Sequence, residues 1–297
     1  MERFMIGQFG RFDYNKHTRD FKPSFFGVEA CLLEEEDIKK LIDNANREEF
    51  NIGIHFPLRT KGWRLRDPQF LSKDDDTRES SYKYMENEIN FLKEVKPKYI
   101  LLHYPKPVLL DKSVDWTNWR FANDTEYYFE DSYSYENFSA KSEELFKWLS
   151  DISIENDFIP VLELDALNKY IYTTDLLKTL LDKYPRIKIC LDIGRLHLQD
   201  KLDKNFNSFE FASRFAKYAE VVHLWNIKVT DNVEYNHYPT LPDLRPEEGW
   251  GDIEKYIEII KKENKFCKIL FEHRSDLISD EELESCYNWI SNILNEE

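Results

Sequence analysis

Six short apolar runs in this chain end in the same way, each in an imidazole or a carboxylate. Residues 51–56 (NIGIHF) carry His55, 99–104 (YILLHY) carry His103, and 158–164 (FIPVLEL) carry Glu163. Residues 187–192 (IKICLD) end in Asp192, 221–225 (VVHLW) carry His223, and 268–273 (KILFEH) carry Glu272. In the run before Asp192, Ile187, Ile189 and Leu191 recur at period two and Cys190 fills the other face. That is the pattern of a strand buried on both faces, as in a parallel sheet. Core packing does not require an ionisable group at the end of each such strand, and burying one without a partner is costly. Asp192 alone reads equally well as a helix cap. A ring of strands that brings its functional groups to one mouth is how a (β/α)8 barrel builds a site.

The rest of the chain fits that reading. Residues 4–9 and 25–32 supply two more strand candidates, for eight in all. Helical spacing of apolar residues is seen around 38–45, 77–95, 138–156, 175–184, 207–218, 252–263 and from Ser279 onward. Residues 10–23 hold Arg, Lys, His and Pro without helical periodicity, although a barrel calls for a helix there. Alternating strands and helices predict an α/β fold, a (β/α)8 TIM barrel with long loops on the C-terminal face. An open doubly wound sheet is the alternative, but the chain has neither G-x-G-x-x-G nor a Walker A loop. At 297 residues, against about 250 for such a barrel, and without linker, repeat or low-complexity block, residues 1–297 are expected to form one domain.

Net charge is −16, which repels a phosphate-covered polymer, so nucleic acid is not an expected partner. Cys31, Cys190, Cys267 and Cys286 are widely spaced, with no C-x-x-C, and read as reduced thiols. No run approaches the roughly 20 apolar residues of a membrane helix, and the first residues do not form a signal peptide. A cytoplasmic location is expected.

Glu163, Asp192, His223 and Glu272 end four successive strands. Three carboxylates and an imidazole suit one divalent ion: Mn²⁺, Mg²⁺ or Fe²⁺, with Co²⁺ or Zn²⁺ tolerated. Such an ion polarises a bound carbonyl or hydroxyl. Glu163 and Glu272 are then the expected catalytic pair, one removing a proton next to the carbonyl and the other returning it. His55, His103, Lys106, Arg195, His197 and His237 follow or end strands and are expected at the substrate. Residues 57–76 hold a basic island, Arg59, Lys61, Arg64 and Arg66 around Trp63, which is either a solvated loop or a small anion site. Trp63 is expected at the substrate with it. Glu29 either faces inward or serves as a structural acceptor. The aromatic stretch 108–136 reads as a flap on the barrel or on a second subunit, the latter implying a homo-oligomer, or as a substrate-contacting loop.

The elements VLELD with Glu163, CLDIGRLHL with Asp192, VVHLWN with His223 and ILFEH with Glu272 resemble the xylose-isomerase-like barrel superfamily, also called AP endonuclease family 2. The resemblance spans about residues 1–290 and is most secure over 158–273. It implies a sugar isomerase or epimerase in which Glu163, Asp192, His223 and Glu272 hold one metal and the two glutamates transfer protons. The substrate would be a small sugar, ketose or polyol derivative. Inosose-type dehydratases and endonuclease IV-like phosphodiester hydrolases share the superfamily, and a barrel that binds without catalysis is a further alternative. His55 and His103 match endonuclease IV metal ligands. Its Asp-x-His pair after strand seven is met here only by Glu234-Tyr235-Asn236. Arg195 stands where the family often has a histidine that contacts substrate or zinc, and it either holds an anionic substrate group or pairs with a carboxylate.

Overall fold

The computed structural model describes residues 1–60, 65, 67–121 and 123–296. Eight parallel strands close into a barrel in strict chain order: Phe4–Phe9, Gly27–Cys31, Asn51–His55, Tyr99–Tyr104, Ile159–Leu164, Lys188–Asp192, Ala219–Leu224 and Lys268–Phe271. The eighth strand pairs with the first, with Phe4 beside Ile269, so the ring has no open edge. Helices Glu35–Glu48, Asp75–Leu92, Tyr135–Asn156, Leu176–Lys183, Ser208–Phe215, Ile253–Glu263 and Asp280–Asn295 surround it. Their apolar stripes, such as Leu176, Leu177, Leu180 and Leu181, pack on the outward face of the strands. Among the described residues no helix is long and apolar enough to cross a membrane. All four cysteines are free thiols, three of them buried.

The barrel interior follows from the period-two alternation of each strand. Met5, Tyr99, Leu101, Val161, Cys190, Val221 and Leu270 fill its floor as one cluster. One position makes room for the largest of them. A Cβ on Gly53 would lie 2.3 Å from the Tyr99 ring. The bare backbone lets Tyr99 cross the floor and donate to Glu29 at 2.6 Å. Two residues further along the same inward rows stand His55, His103, Glu163, Asp192, His223 and, just past the last strand, Glu272. Register sets His103 beside Glu163 and Asp192 beside His223.

Three helices depart from the expected pattern, the shortest being the single turn Lys169–Tyr172. Tyr14–Asp20 is helical, started by the Asp13 side chain, which accepts from the Lys16 amide. Its buried face is polar, His17, stacked on Phe21 and bonded to Glu48, and Asp20, which accepts from the Ser275 hydroxyl, so it has no apolar stripe to read. Ile193–Leu202 begins directly at Asp192, whose carboxylate caps it by accepting from the Arg195 amide at 2.9 Å. Most of its residues are buried, which erases the amphipathic signal.

The long loops cover the mouth. Residues Val108–Leu110 pair in parallel with Tyr127–Phe129, and Asn226–Val229 forms an antiparallel hairpin with Val233–Tyr238. Trp116, Trp119, Phe121 and Tyr127 of the aromatic insertion pack with Leu198, Trp225, Ile227 and Val229 in a second apolar cluster. The insertion is therefore seated on the barrel's own loops. In the basic island, Arg59 is tied to buried Glu88 by two hydrogen bonds, at 2.7 and 2.9 Å, and is part of the scaffold. Lys61, Trp63, Arg64 and Arg66 lie outside the described residues.

Candidate active site

Glu163, His223 and Glu272 converge on one point at the mouth. His223 Nδ1 is 2.8 Å from Glu272 Oε2 and 3.7 Å from Glu163 Oε2. All three atoms are buried, yet none has a hydrogen-bond partner of acceptable geometry among the described residues. Buried polar atoms are normally satisfied, so three orphans aimed at one another call for a shared partner. Asp192 joins them, since ligand atoms of Glu163, Asp192 and His223 all lie within 4.8 Å of one another. A second group, His55, His103 and Glu163, meets the same distance. His55 Nε2 is 3.0 Å and His103 Nε2 3.4 Å from Glu163 Oε2.

The surrounding groups fix how these atoms present themselves. His223 Nε2 lies 3.2 and 3.4 Å from the two oxygens of Glu29, which is itself fully buried. Donation of that N–H to Glu29 leaves the Nδ1 lone pair facing the carboxylates. Arg195 is placed on the other side. Its guanidinium is 3.2 Å from Glu163 Oε1, 3.2 Å from Asp192 Oδ2 and 2.6 Å from Asp165 Oδ1, and Nη2 is 3.3 Å from His103 Nε2. It engages Glu163 through Oε1 and leaves Oε2 to the ligand cluster. Of the two readings of Arg195, pairing with carboxylates is the one this arrangement displays.

Burial drives the Asp192 carboxyl up to about 7, partly offset by Arg195, with Glu272 and Glu163 adding like-charge repulsion. Burial also opposes the charge of Glu272, but His223 and His237 hold it down at about 2. Glu163 is likewise opposed by burial and is held well below the usual range by His103, Arg195 and His223. Of the three crowded carboxylates only Asp192 lacks enough nearby positive charge to ionise comfortably, and a divalent cation would supply what is missing.

Other expected residues are distributed differently. His55, His103, Arg195 and His237 line a pocket of about 250 Å³ that reaches Glu272, walled by Trp119, Trp225 and Leu198. His237 stacks flat on Trp225 at 4.1 Å. That stack stands over Gly194, where a Cβ would come within 2.4 Å of the Trp225 ring. His197, expected at the substrate, instead points to the Gly249 carbonyl at 3.2 Å and lines neither this pocket nor the cleft above it. Lys106, also expected there, is buried and paired with Asp165 at 2.6 Å and Asp67 at 3.2 Å. It serves the frame of the site, because its ammonium is held between two buried carboxylates. Asp67 in turn takes His103 Nδ1 at 2.5 Å. Glu234 is held by Lys228 and Thr230 on the hairpin, away from the His55–His103 group. Sequence reasoning did not single out Asp67, Asp165, Arg120 or Trp225, whereas Trp119 belongs to the aromatic stretch 108–136, one reading of which is a substrate-contacting loop. Asp165 carried a signal of its own, lying two residues past Glu163 on the same inward row.

No protein-family model matches the chain, and no curated protein matches it by sequence. Solved structures do match by shape. A D-tagatose 3-epimerase-like protein superposes with TM-score 0.62 at 14% identity, covering 98% of each chain. The 3-keto-D-glucoside 4-epimerase of E. coli gives 0.61 at 12%, covering 98% of this chain and 100% of that one. A xylose isomerase-like TIM barrel protein from Mycobacterium smegmatis, solved in complex with magnesium, gives 0.52 at 10%, covering 88% and 80%. The fold shared with these structures is the (β/α)8 TIM barrel. In this barrel the donor set suits a divalent ion. Two of the three orphaned atoms are carboxylate oxygens and one is an imidazole nitrogen, and Asp192 is adjacent. Hard oxygen donors with one nitrogen are the set such ions take.

Proposed function

We propose that this chain is a divalent-metal-dependent isomerase or epimerase acting on a small sugar, ketose or polyol derivative. The observation that carries the reading is the convergence of Glu163 Oε2, His223 Nδ1 and Glu272 Oε2, buried and unpartnered, beside Asp192. The sugar epimerases among proteins of like shape support it. Glu163, Asp192, His223 and Glu272 would hold one ion, of Mn²⁺, Mg²⁺, Fe²⁺, Co²⁺ or Zn²⁺. When bound, the ion polarises a carbonyl or hydroxyl of the substrate and so acidifies the neighbouring C–H.

The chain's own residues do the rest. Glu163 and Glu272 rise from the fifth strand and from just past the eighth, flanking the strands that carry Asp192 and His223. One carboxylate accepts the proton from the substrate carbon and the other returns it. Both are held towards the ionised form, so the one that returns the proton must first take one from solvent, and Asp192, near 7, is the member that needs compensating charge. His55 and His103 offer ring nitrogens to substrate hydroxyls. Trp119, Trp225 and Leu198 exclude water and give the apolar face of a sugar ring a surface.

The test is exchange of the substrate's α-proton with D2O, followed by NMR over a ketose and polyol panel with each metal in turn. The chain should exchange on at least one substrate, and Glu163→Gln and Glu272→Gln should each reduce exchange by 100-fold or more. Undiminished exchange in either variant would remove that residue from proton transfer. A second reading, phosphodiester hydrolysis, draws on the His55–His103–Glu163 group. It requires two or three zinc ions per chain by elemental analysis, where the isomerase reading requires one.

A further inference from the structure

Above the ligand cluster the mouth widens into a cleft of about 920 Å³, towards the top of the ~300–1,000 Å³ range of small-molecule sites. Arg120, Asn236, His237 and Glu272 line both this cleft and the deep pocket, so the two form one path. In a chain of net charge −16 its wall is unusual. Arg11, Lys16, Arg19, Arg120 and Arg274 line it against Asp13, Glu272 and Asp276. Three of those cations are neutralised at close range: Arg11 by Asp13 at 2.8 Å, Arg19 by Asp280 at 2.6 Å and Arg274 by Asp276 at 2.6 Å.

Lys16 and Arg120 are not. Among the described residues neither has a carboxylate within 4.0 Å. Lys16 is half-buried, its ammonium resting on the Gly7 carbonyl at 2.6 Å. Burial lowers its pKa, against the longer-range pull of Asp20, Asp13, Asp276 and Glu272. His273 lines the same cleft, is 4% exposed, and has no partner on either ring nitrogen. A sheltered ammonium without a counter-ion and a buried imidazole without a partner are both costly. A ligand bearing acceptor oxygens and negative charge relieves both, whereas a neutral polyol offers as many donors as acceptors.

Resting on the sugar-derivative reading above, we propose that the cleft is an oxyanion subsite. The substrate is a sugar carrying a carboxylate or phosphate group, which Lys16, Arg120 and His273 hold while the reacting carbon reaches Glu272. This gives the site a preference for acidic sugars over their neutral parents.

Titration calorimetry on the full chain tests it with matched probes: D-fructose 6-phosphate against D-fructose, D-glucuronate against D-glucose, and inorganic phosphate alone. Each is run with Mn²⁺ and after chelation, so that attraction of the anion to the ion is subtracted. At low salt a charged sugar should bind at least tenfold tighter than its neutral parent with or without metal, and the advantage should shrink as salt rises. A preference confined to one pair identifies the oxyanion as phosphoester or carboxylate. Lys16→Met and Arg120→Met should each reduce the advantage about fivefold or more. Arg120 is exposed, so its variant keeps the test open if Lys16→Met fails to fold. Equal affinity within both pairs, no binding of any anionic probe, an advantage seen only with Mn²⁺, or one undiminished in Arg120→Met would overturn the proposal. Binding is read without turnover. Charge preference without proton exchange would remove the isomerase reading and leave this one, and exchange without charge preference would do the reverse.

Discussion

His223 is held from two sides, and the less visible side decides what the other can do. Glu29 accepts Nε2–H, the Tyr99 hydroxyl donates to Glu29, and Gly53 leaves the space in which Tyr99 lies. This is a carboxylate–histidine relay of the kind that orients metal-ligating imidazoles. Glu29→Gln keeps the shape but replaces the acceptor, and should weaken Mn²⁺ binding by ~10–100-fold, measured as Kd by calorimetry. Unchanged Kd with lowered thermal stability would make Glu29 a packing residue only. The four expected ligand residues were legible because each closes a period-two apolar run, and alternation then sends all four inward. Glu29 was only half legible. It sits mid-strand, 194 residues from His223, and nothing local says that the two meet across the barrel. Lys106 and His197 were misplaced for the opposite reason: a polar residue after a strand looks substrate-facing until the covering loop is known.

At the scale of elements, the site is framed by a buried charge network that ties three connections together. Asp165, just past the fifth strand, binds Lys106 of the loop after the fourth and Arg195 of the helix after the sixth. It also accepts from the Trp119 indole of the insertion at 3.1 Å. Asp165→Asn leaves two cations short of a counter-ion, and breaking a buried pair in this way costs about 3–5 kcal/mol. The denaturant midpoint should fall accordingly, and a change below about 1 kcal/mol would mean that Asp67 and Glu163 absorb the freed charge. Strands and amphipathic helices were readable to within a few residues. Two of the missed helices, Tyr14–Asp20 and Ile193–Leu202, lack an apolar stripe against a polar face. One buries the polar pair His17 and Asp20 and the other is enclosed by the sheet and the hairpin, so neither prints an apolar 3.6-residue rhythm on its sequence.

For the whole molecule, metal binding and folding are linked. An ion that binds only the folded chain stabilises it by about 2.7 kcal/mol at 100 times its Kd, a rise in Tm of roughly 5 °C. Mn²⁺ should produce that shift in the wild-type chain and a much smaller one in His223→Ala, read by differential scanning calorimetry. An equal shift in both would place the ion elsewhere.

The strict chain order of the barrel also has a temporal meaning. Strands one to four bring Glu29, His55 and His103, whereas Glu163, Asp192, His223 and Glu272 all come from the second half. A chain leaving the ribosome at ~5–20 residues per second passes on the order of ten seconds between Glu163 and Glu272. Throughout that interval it has no complete cage, and the cage closes only as the last strand finds the first. A nascent chain of this design gains the last of the four proposed ligands only at the end of its synthesis. The act that seals the hydrogen-bonded ring is the one that would complete the proposed metal site.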